Sequence, residues 1–172
     1  MSDKKISKTE RILAIFHLLT HCREVSYKEV IDLISVSKKT VCRDISVLIR
    51  AGWDIEFSKK DRAYGTSGIK TPPKFTRRRN ERLYLQKIAR LTTLMRDMGS
   101  GEDDPVAWYR AKYPDLSERT RQRDFKILNS VGYHILREND PENQEGRPLG
   151  KYYCEWLYCP PGAYGLDVFR GK

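Results

Sequence analysis

Lys38, Lys39, Thr40, Arg43 and Ser46 fall within nine consecutive residues, and Arg119, Thr120, Arg123 and Lys126 renew much of that set further along the chain. Ammonium and guanidinium groups at this spacing, with hydroxyls between them, meet phosphate oxygens or the O6 and N7 acceptors of guanine. Nothing comparable supports bond-making chemistry. His17 and His21 stand at i, i+4 with Cys22 adjacent, but no Glu follows His17 as an HExxH zinc site requires. Walker loop, dinucleotide fingerprint and nucleophile elbow are all missing from the sequence. Cys22, Cys42, Cys154 and Cys159 show no CxxC spacing, which points to reduced packing thiols. The expectation is a non-enzymatic protein with no cofactor and no metal.

The basic residues belong to a repeat. Residues 37–55, SKKTVCRDISVLIRAGWDI, align without a gap on residues 117–135, SERTRQRDFKILNSVGYHI. Ser37/Ser117, Thr40/Thr120, Arg43/Arg123, Asp44/Asp124, Leu48/Leu128, Gly52/Gly132 and Ile55/Ile135 are identical, 7 of 19 positions, where composition alone gives about one. Such a period is read before any fold is proposed.

The elements that must hold these side chains follow from caps and periodicity. Ser7 with Glu10 is a capping box, and Ile12, Ile15, Phe16 and Leu19 recur at helical spacing to about His21. Ser26 with Glu29 opens a short second helix. Ser37 caps a third over 38–51, whose Val41, Ile45 and Leu48 face the core while Lys38, Lys39, Arg43, Ser46 and Arg50 face out. Gly52 stands where the helix ends in positive φ. Trp53, Ile55 and Phe57 alternate as one face of a strand, SKKD turns, and RAYGT returns. Three helices and a hairpin are the winged helix-turn-helix order.

The second half runs the same course: a helix over 80–98, Asp104 and Pro105 opening a short helix to Tyr113, the second copy, and a strand from Tyr133 returned by KYYCEWLY. Arg121 replaces the core residue Val41, so this helix should start later or its first turn should stand clear of the core. Asp44 and Asp124 would repel phosphate and are expected to hold a neighbouring Arg or amide instead.

The first half resembles the N-terminal winged helix of DeoR-like and WYL-type bacterial transcription regulators over about residues 6–66. The resemblance is carried by KTERILAIFHLL, VSKKTVCRDISVLIRAGWDI, a basic turn and Tyr64. It implies that the third helix enters the major groove. Nothing resembles the sensor domain that follows in that family, so effector sensing is not implied.

Charge distribution agrees. The chain has 33 Lys+Arg against 23 Asp+Glu, a net of +10, as a polyanion partner requires. Residues 1–66 carry 13 basic and 9 acidic side chains, a net of +4; residues 67–80 carry 5 and none; residues 81–172 carry 15 and 14. Lys59, Lys60 and Arg62 make the first wing basic, whereas Glu138, Asp140, Glu142 and Glu145 make the second acidic against Arg147. Arg77, Arg78 and Arg79 suit a minor-groove arm. With 39% hydrophobic and 33% charged residues and no apolar run of membrane length, the sequence reads as soluble and cytoplasmic.

The expected architecture is mainly α with small β hairpins (α+β): a winged helix-turn-helix over 1–66, a basic linker over 67–79, and a second, diverged winged helix over 80–172. The expected function is sequence-specific double-stranded DNA binding, as a transcriptional regulator of bacterial or phage type. Its DNA-binding residues are Ser37, Lys38, Lys39, Thr40, Arg43, Ser46, Lys59, Lys60, Arg62, Arg77, Arg78, Arg79, Arg119, Thr120, Arg123 and Lys126. Two readers would cover groove segments about 34 Å apart. Tyr84, Ile88, Leu91, Met95 and Met98 offer a homodimer face or simply the core face of the second domain's first helix. The alternatives are a plasmid or phage replication or recombination accessory factor, and a protein-interaction adaptor built on a degenerate second winged helix with the tail YCPPGAYGLDVFRGK.

Overall fold

Capping chemistry sets the helix starts in the computed structural model, which describes residues 6–22, 24–74, 77–98, 104–137 and 152–156. For residues 134, 136, 137 and 152–156 the description is of the backbone. Both expected capping boxes form. Ser7 accepts from the Glu10 amide while Glu10 accepts from the Ser7 amide, opening α1 (Lys8–His21). Ser26 and Glu29 do the same for α2 (Tyr27–Ile34). Between them β1 (Val25–Ser26) is too short to carry a periodic signal, and the sequence reading lacks it. Ser35, at φ 52°, ends α2 in the left-handed region, and Ser37 caps α3 (Lys38–Arg50).

The chain is α+β and divides into two compact units between Thr92 and Thr93. In the first, β2 (Trp53–Ser58) and β3 (Ala63–Lys70) pair antiparallel, and β1 joins the far edge of β3 to give the order β1-β3-β2. Strand β3 therefore runs through the first four residues of the expected linker. Gly52 adopts φ 105°, as its place after α3 demands, but a second constraint comes from further along the chain. A Cβ there would meet the Thr71 carbonyl oxygen at 2.2 Å. The Thr71 amide donates to the Gly52 carbonyl at 2.7 Å and the Lys74 amide to that of Arg50 at 2.9 Å, so residues 71–74 lie against the end of α3.

The core of this unit gathers α1, α3 and the hairpin around Trp53, which is 2% exposed. Its ring lies 4.5 Å from that of Phe16, and its indole N–H donates to Thr92 Oγ1 at 2.8 Å. Thr92 belongs to α4 (Arg79–Met98), and Lys70 Nζ reaches the Ala89 carbonyl of the same helix at 3.0 Å. Phe57 departs from the expected strand face. It is 40% exposed while Trp53 and Ile55 are buried, and its ring packs on those of Tyr27 and Tyr64.

The second unit has the end of α4, then α5 (Pro105–Lys112), α6 (Glu118–Ser130) and the hairpin of β4 (Tyr133–Arg137) with β5 (Tyr152–Trp156). Asp104 caps α5 by accepting from the Val106 and Ala107 amides. Gly132 repeats the positive φ of Gly52 at 92°. The acidic turn after Arg137, Cys159 and the C-terminal tail lie outside the described residues.

For residues 80–98 burial favours the core reading over the dimer face. Ile88, Leu91, Met95 and Met98 are each at most 3% exposed within the single chain, so they are already used as core. Among the described residues no helix is long and apolar enough to cross a membrane, and no group of His, Cys, Asp and Glu is placed to hold a metal ion.

Candidate nucleic-acid interface

Helix α3 sorts its residues by a face that tertiary packing fixes. Val41, Asp44, Ile45 and Leu48 are buried, which leaves Lys38, Lys39, Arg43 and Ser46 exposed on the other side. Among the described residues, Lys39, Arg43 and Ser46 make no hydrogen bond or ion pair. Their donors are available to an external acceptor. Lys38 is positioned, with its ammonium 4.5 Å from the centroid of the Tyr27 ring. Ser37 and Thr40 differ from these: the Ser37 hydroxyl accepts from the Thr40 amide and bonds the Thr40 hydroxyl at 3.0 Å. Their hydroxyls serve the cap first.

Asp44 explains how the face is held. It is 1% exposed, and Arg11 of α1 grips both its oxygens, Nε at 2.5 Å and Nη2 at 3.2 Å. A buried carboxylate without such a partner is costly, so the pair fixes the rotation of α3 against α1. The carboxylate is thereby kept away from the basic face.

At the other end of the hairpin, Lys59, Lys60 and Arg62 are all exposed in the β2–β3 turn. The turn is closed by the Ser58 hydroxyl donating to Asp61 Oδ2 at 2.5 Å and accepting from the Asp61 amide at 3.2 Å. Between turn and α3 stands an aromatic group that charge counting did not find: Tyr27, Phe57 and Tyr64, with ring centroids 4.9 to 5.4 Å apart. A Tyr opening a helix and a Phe–Tyr cross-strand pair are the sequence signals for it.

Arg77, Arg78 and Arg79 are exposed, but they are not beside the Lys38 end of α3. Arg50, in the last turn of α3, binds Glu81 of α4 at 2.7 Å, which ties the start of α4 to the C-terminal end of α3. Lys38 and Arg50 are separated by about 18 Å of helix axis. The basic arm and the basic helix face are thus different surfaces of the first unit.

No protein-family model, curated protein or solved structure matches the chain.

In the second unit α6 presents Arg119, Arg123 and Lys126 outward, while Thr120, like Thr40, completes the cap with Ser117. Asp124 is 2% exposed and accepts from the Tyr109 hydroxyl at 2.9 Å. Both aspartates of the repeat are thus buried and bonded within the chain, Asp44 to an arginine as expected and Asp124 to a phenol. Arg121 corrects the expectation. The helix begins at Glu118, in register with the first copy, and its first turn is packed: Arg121 is 5% exposed. Glu118, one turn back, binds its guanidinium, which also lies 5.2 Å from the Phe125 ring centroid. A local carboxylate and an aromatic face together make an arginine tolerable where Val41 stands in the first copy.

His17 and His21 stack at 4.2 Å between ring centroids near the end of α1. Burial, and then the charge of His21, push His17 down to about 4, so it is neutral through the physiological range. It acts as a packed helix residue.

Proposed function

We propose that this protein is a sequence-specific, non-enzymatic duplex-DNA-binding protein, acting as a transcriptional regulator. In this reading each unit is a winged helix, α3 enters the major groove, and the β2–β3 turn lies along the backbone. The observation that carries the proposal is the exposed face of Lys39, Arg43 and Ser46 on the N-terminal half of α3, opposite a face pinned by Arg11 and Asp44. A helix held at a fixed rotation with unpaired donors outward is what base-edge recognition needs. The β1-β3-β2 sheet order and the basic hairpin turn add support, because they furnish the wing.

Helix α6 is assigned the supporting part. Its exposed Arg119, Arg123 and Lys126 suit phosphate contacts, which strengthen binding to all sequences alike. Selection from a random duplex pool tests the proposal directly: the expected result is enrichment of a single motif, with affinity falling steeply as salt is raised. A pool that enriches nothing would overturn sequence-specific recognition.

A further inference from the structure

Tyr27, Cys42, Phe57 and Tyr64 form a cluster that the buried core does not contain and the basic face of α3 does not explain. Tyr27 is the first residue of α2, Cys42 lies in the second turn of α3, and Phe57 and Tyr64 face each other across β2 and β3. On one flank Lys38 holds its ammonium over the Tyr27 ring. On the other, Lys59 and Lys60 follow Phe57 into the exposed turn. The cluster is thus a neutral strip between two cationic borders.

Its hydroxyls have a proton to spare. Cys42 Sγ–H donates to the Tyr27 oxygen at 3.6 Å, and the Tyr27 and Tyr64 hydroxyls are bonded to each other. These two bonds use two of the three S–H and O–H protons. The third belongs to one tyrosine or the other, depending on which donates. Cys42 also faces Tyr64, but its sulfur is a weak acceptor and competes poorly with an anionic oxygen. Partial burial pushes both phenols above their ordinary range, and for Tyr27 the bond to Tyr64 adds to it, so the protons stay in place at any working pH.

We propose that Tyr27 and Tyr64 form a phosphate clamp: their surplus O–H donates to a non-bridging oxygen of a DNA backbone phosphate lying between α3 and the β2–β3 turn. Lys38 and the Lys59–Lys60 pair supply the opposing charge, and the tyrosines fix where the phosphate sits. The clamp rests on the duplex-DNA reading of α3. Because either tyrosine can aim the surplus proton outward, each covers for loss of the other.

The test compares wild type with Tyr27→Phe, Tyr64→Phe, the double variant and Arg43→Ala on a short duplex enriched from the random pool, over a series of salt concentrations. Each single Phe variant is expected to bind nearly as wild type, and the double variant about 10-fold more weakly, the worth of one hydrogen bond to a charged group. Its salt slope should be unchanged, since no charge is removed, whereas disturbance of Lys38 would lower the slope by about one unit. A double variant that binds like wild type while Arg43→Ala weakens binding overturns the clamp and leaves the DNA reading standing. A fall in salt slope in the double variant also overturns it. If wild type binds no duplex, the DNA reading fails and the clamp with it. Should the double variant fail to fold, wild-type protein labelled at the tyrosine ring carbons decides: addition of duplex shifts the Tyr27 and Tyr64 resonances, and their constancy overturns the clamp.

Discussion

At seven aligned positions, Val41/Arg121, Asp44/Asp124, Ile45/Phe125, Leu48/Leu128, Ala51/Val131, Trp53/Tyr133 and Ile55/Ile135, both copies of the repeat are buried. Some of the groups around those positions differ. Asp44 accepts from the guanidinium of Arg11, and Asp124 accepts from the phenol of Tyr109 among its contacts. Val41 is simply apolar, whereas Arg121 brings its own counter-charge from Glu118. In the first unit an aromatic and hydroxyl strip also lies beside α3. The repeat thus preserves a burial pattern, and each unit supplies its own means of satisfying it.

The largest difference should come from the two aspartates. Arg11→Ala leaves Asp44 buried and uncompensated, at a cost of about 3 to 5 kcal/mol, whereas Tyr109→Phe removes one neutral donor from Asp124, at about 1 to 3 kcal/mol. Urea unfolding of the two variants measures both, and equal losses would break the contrast. The glycines come next. Gly52→Ala and Gly132→Ala each meet an unfavourable φ, at about 1 to 3 kcal/mol, and at Gly52 the Thr71 oxygen adds to that loss. Thermal melts compare them.

On duplex DNA, Arg43→Ala should cost about 1 to 3 kcal/mol and relax specificity, while Arg123→Ala weakens all sequences alike and lowers the salt slope by about one unit. Footprinting and salt titration separate these; identical behaviour would assign both helices the same task. Arg121→Val should be smaller and of opposite sign, stabilising by about 1 kcal/mol. Its partner Glu118 is already half exposed and is solvated when the guanidinium is removed.

Acid should separate the units by the pH at which each loses stability. The folded-state pKa of His17 lies below its ordinary 6.5, so the unfolded chain binds the extra proton and the first unit loses stability as pH falls from 6.5 to about 4. Burial pushes the Asp97 carboxyl up, but hydrogen bonds from Lys112 and Arg96 outweigh it and hold it below its ordinary 3.8. Its contribution is lost only below 3.8. Hydrogen exchange followed by peptide should show α1 opening at a higher pH than α5, and His17→Gln should abolish that early step.

Caps and periodicity made most of the helices readable. Ser7, Ser26, Ser37 and Ser117 all stand at the helix starts their side chains predict, because capping is settled within four residues. The two-residue β1 was not readable, since its pairing with Tyr64 and Ala63 is decided by a strand far along the chain. Arg121 misled for the opposite reason. Its residue type argues for solvent, and only the neighbouring Glu118 and Phe125 show how a core position accepts it.

By itself, the sequence determined where the charge lies, which positions the repeat shares, and that Asp44 and Asp124 are unsuited to phosphate. Those properties depend on side-chain chemistry and local spacing. Tertiary structure decided which exposed groups stand together. It separates Arg77, Arg78 and Arg79 from the N-terminal half of α3 by tying Glu81 to Arg50, and it draws Tyr27 and Tyr64, 37 residues apart, into one hydroxyl pair. The physical reason is that pairing across elements follows from how α2, α3 and the hairpin pack, and no local pattern encodes that packing.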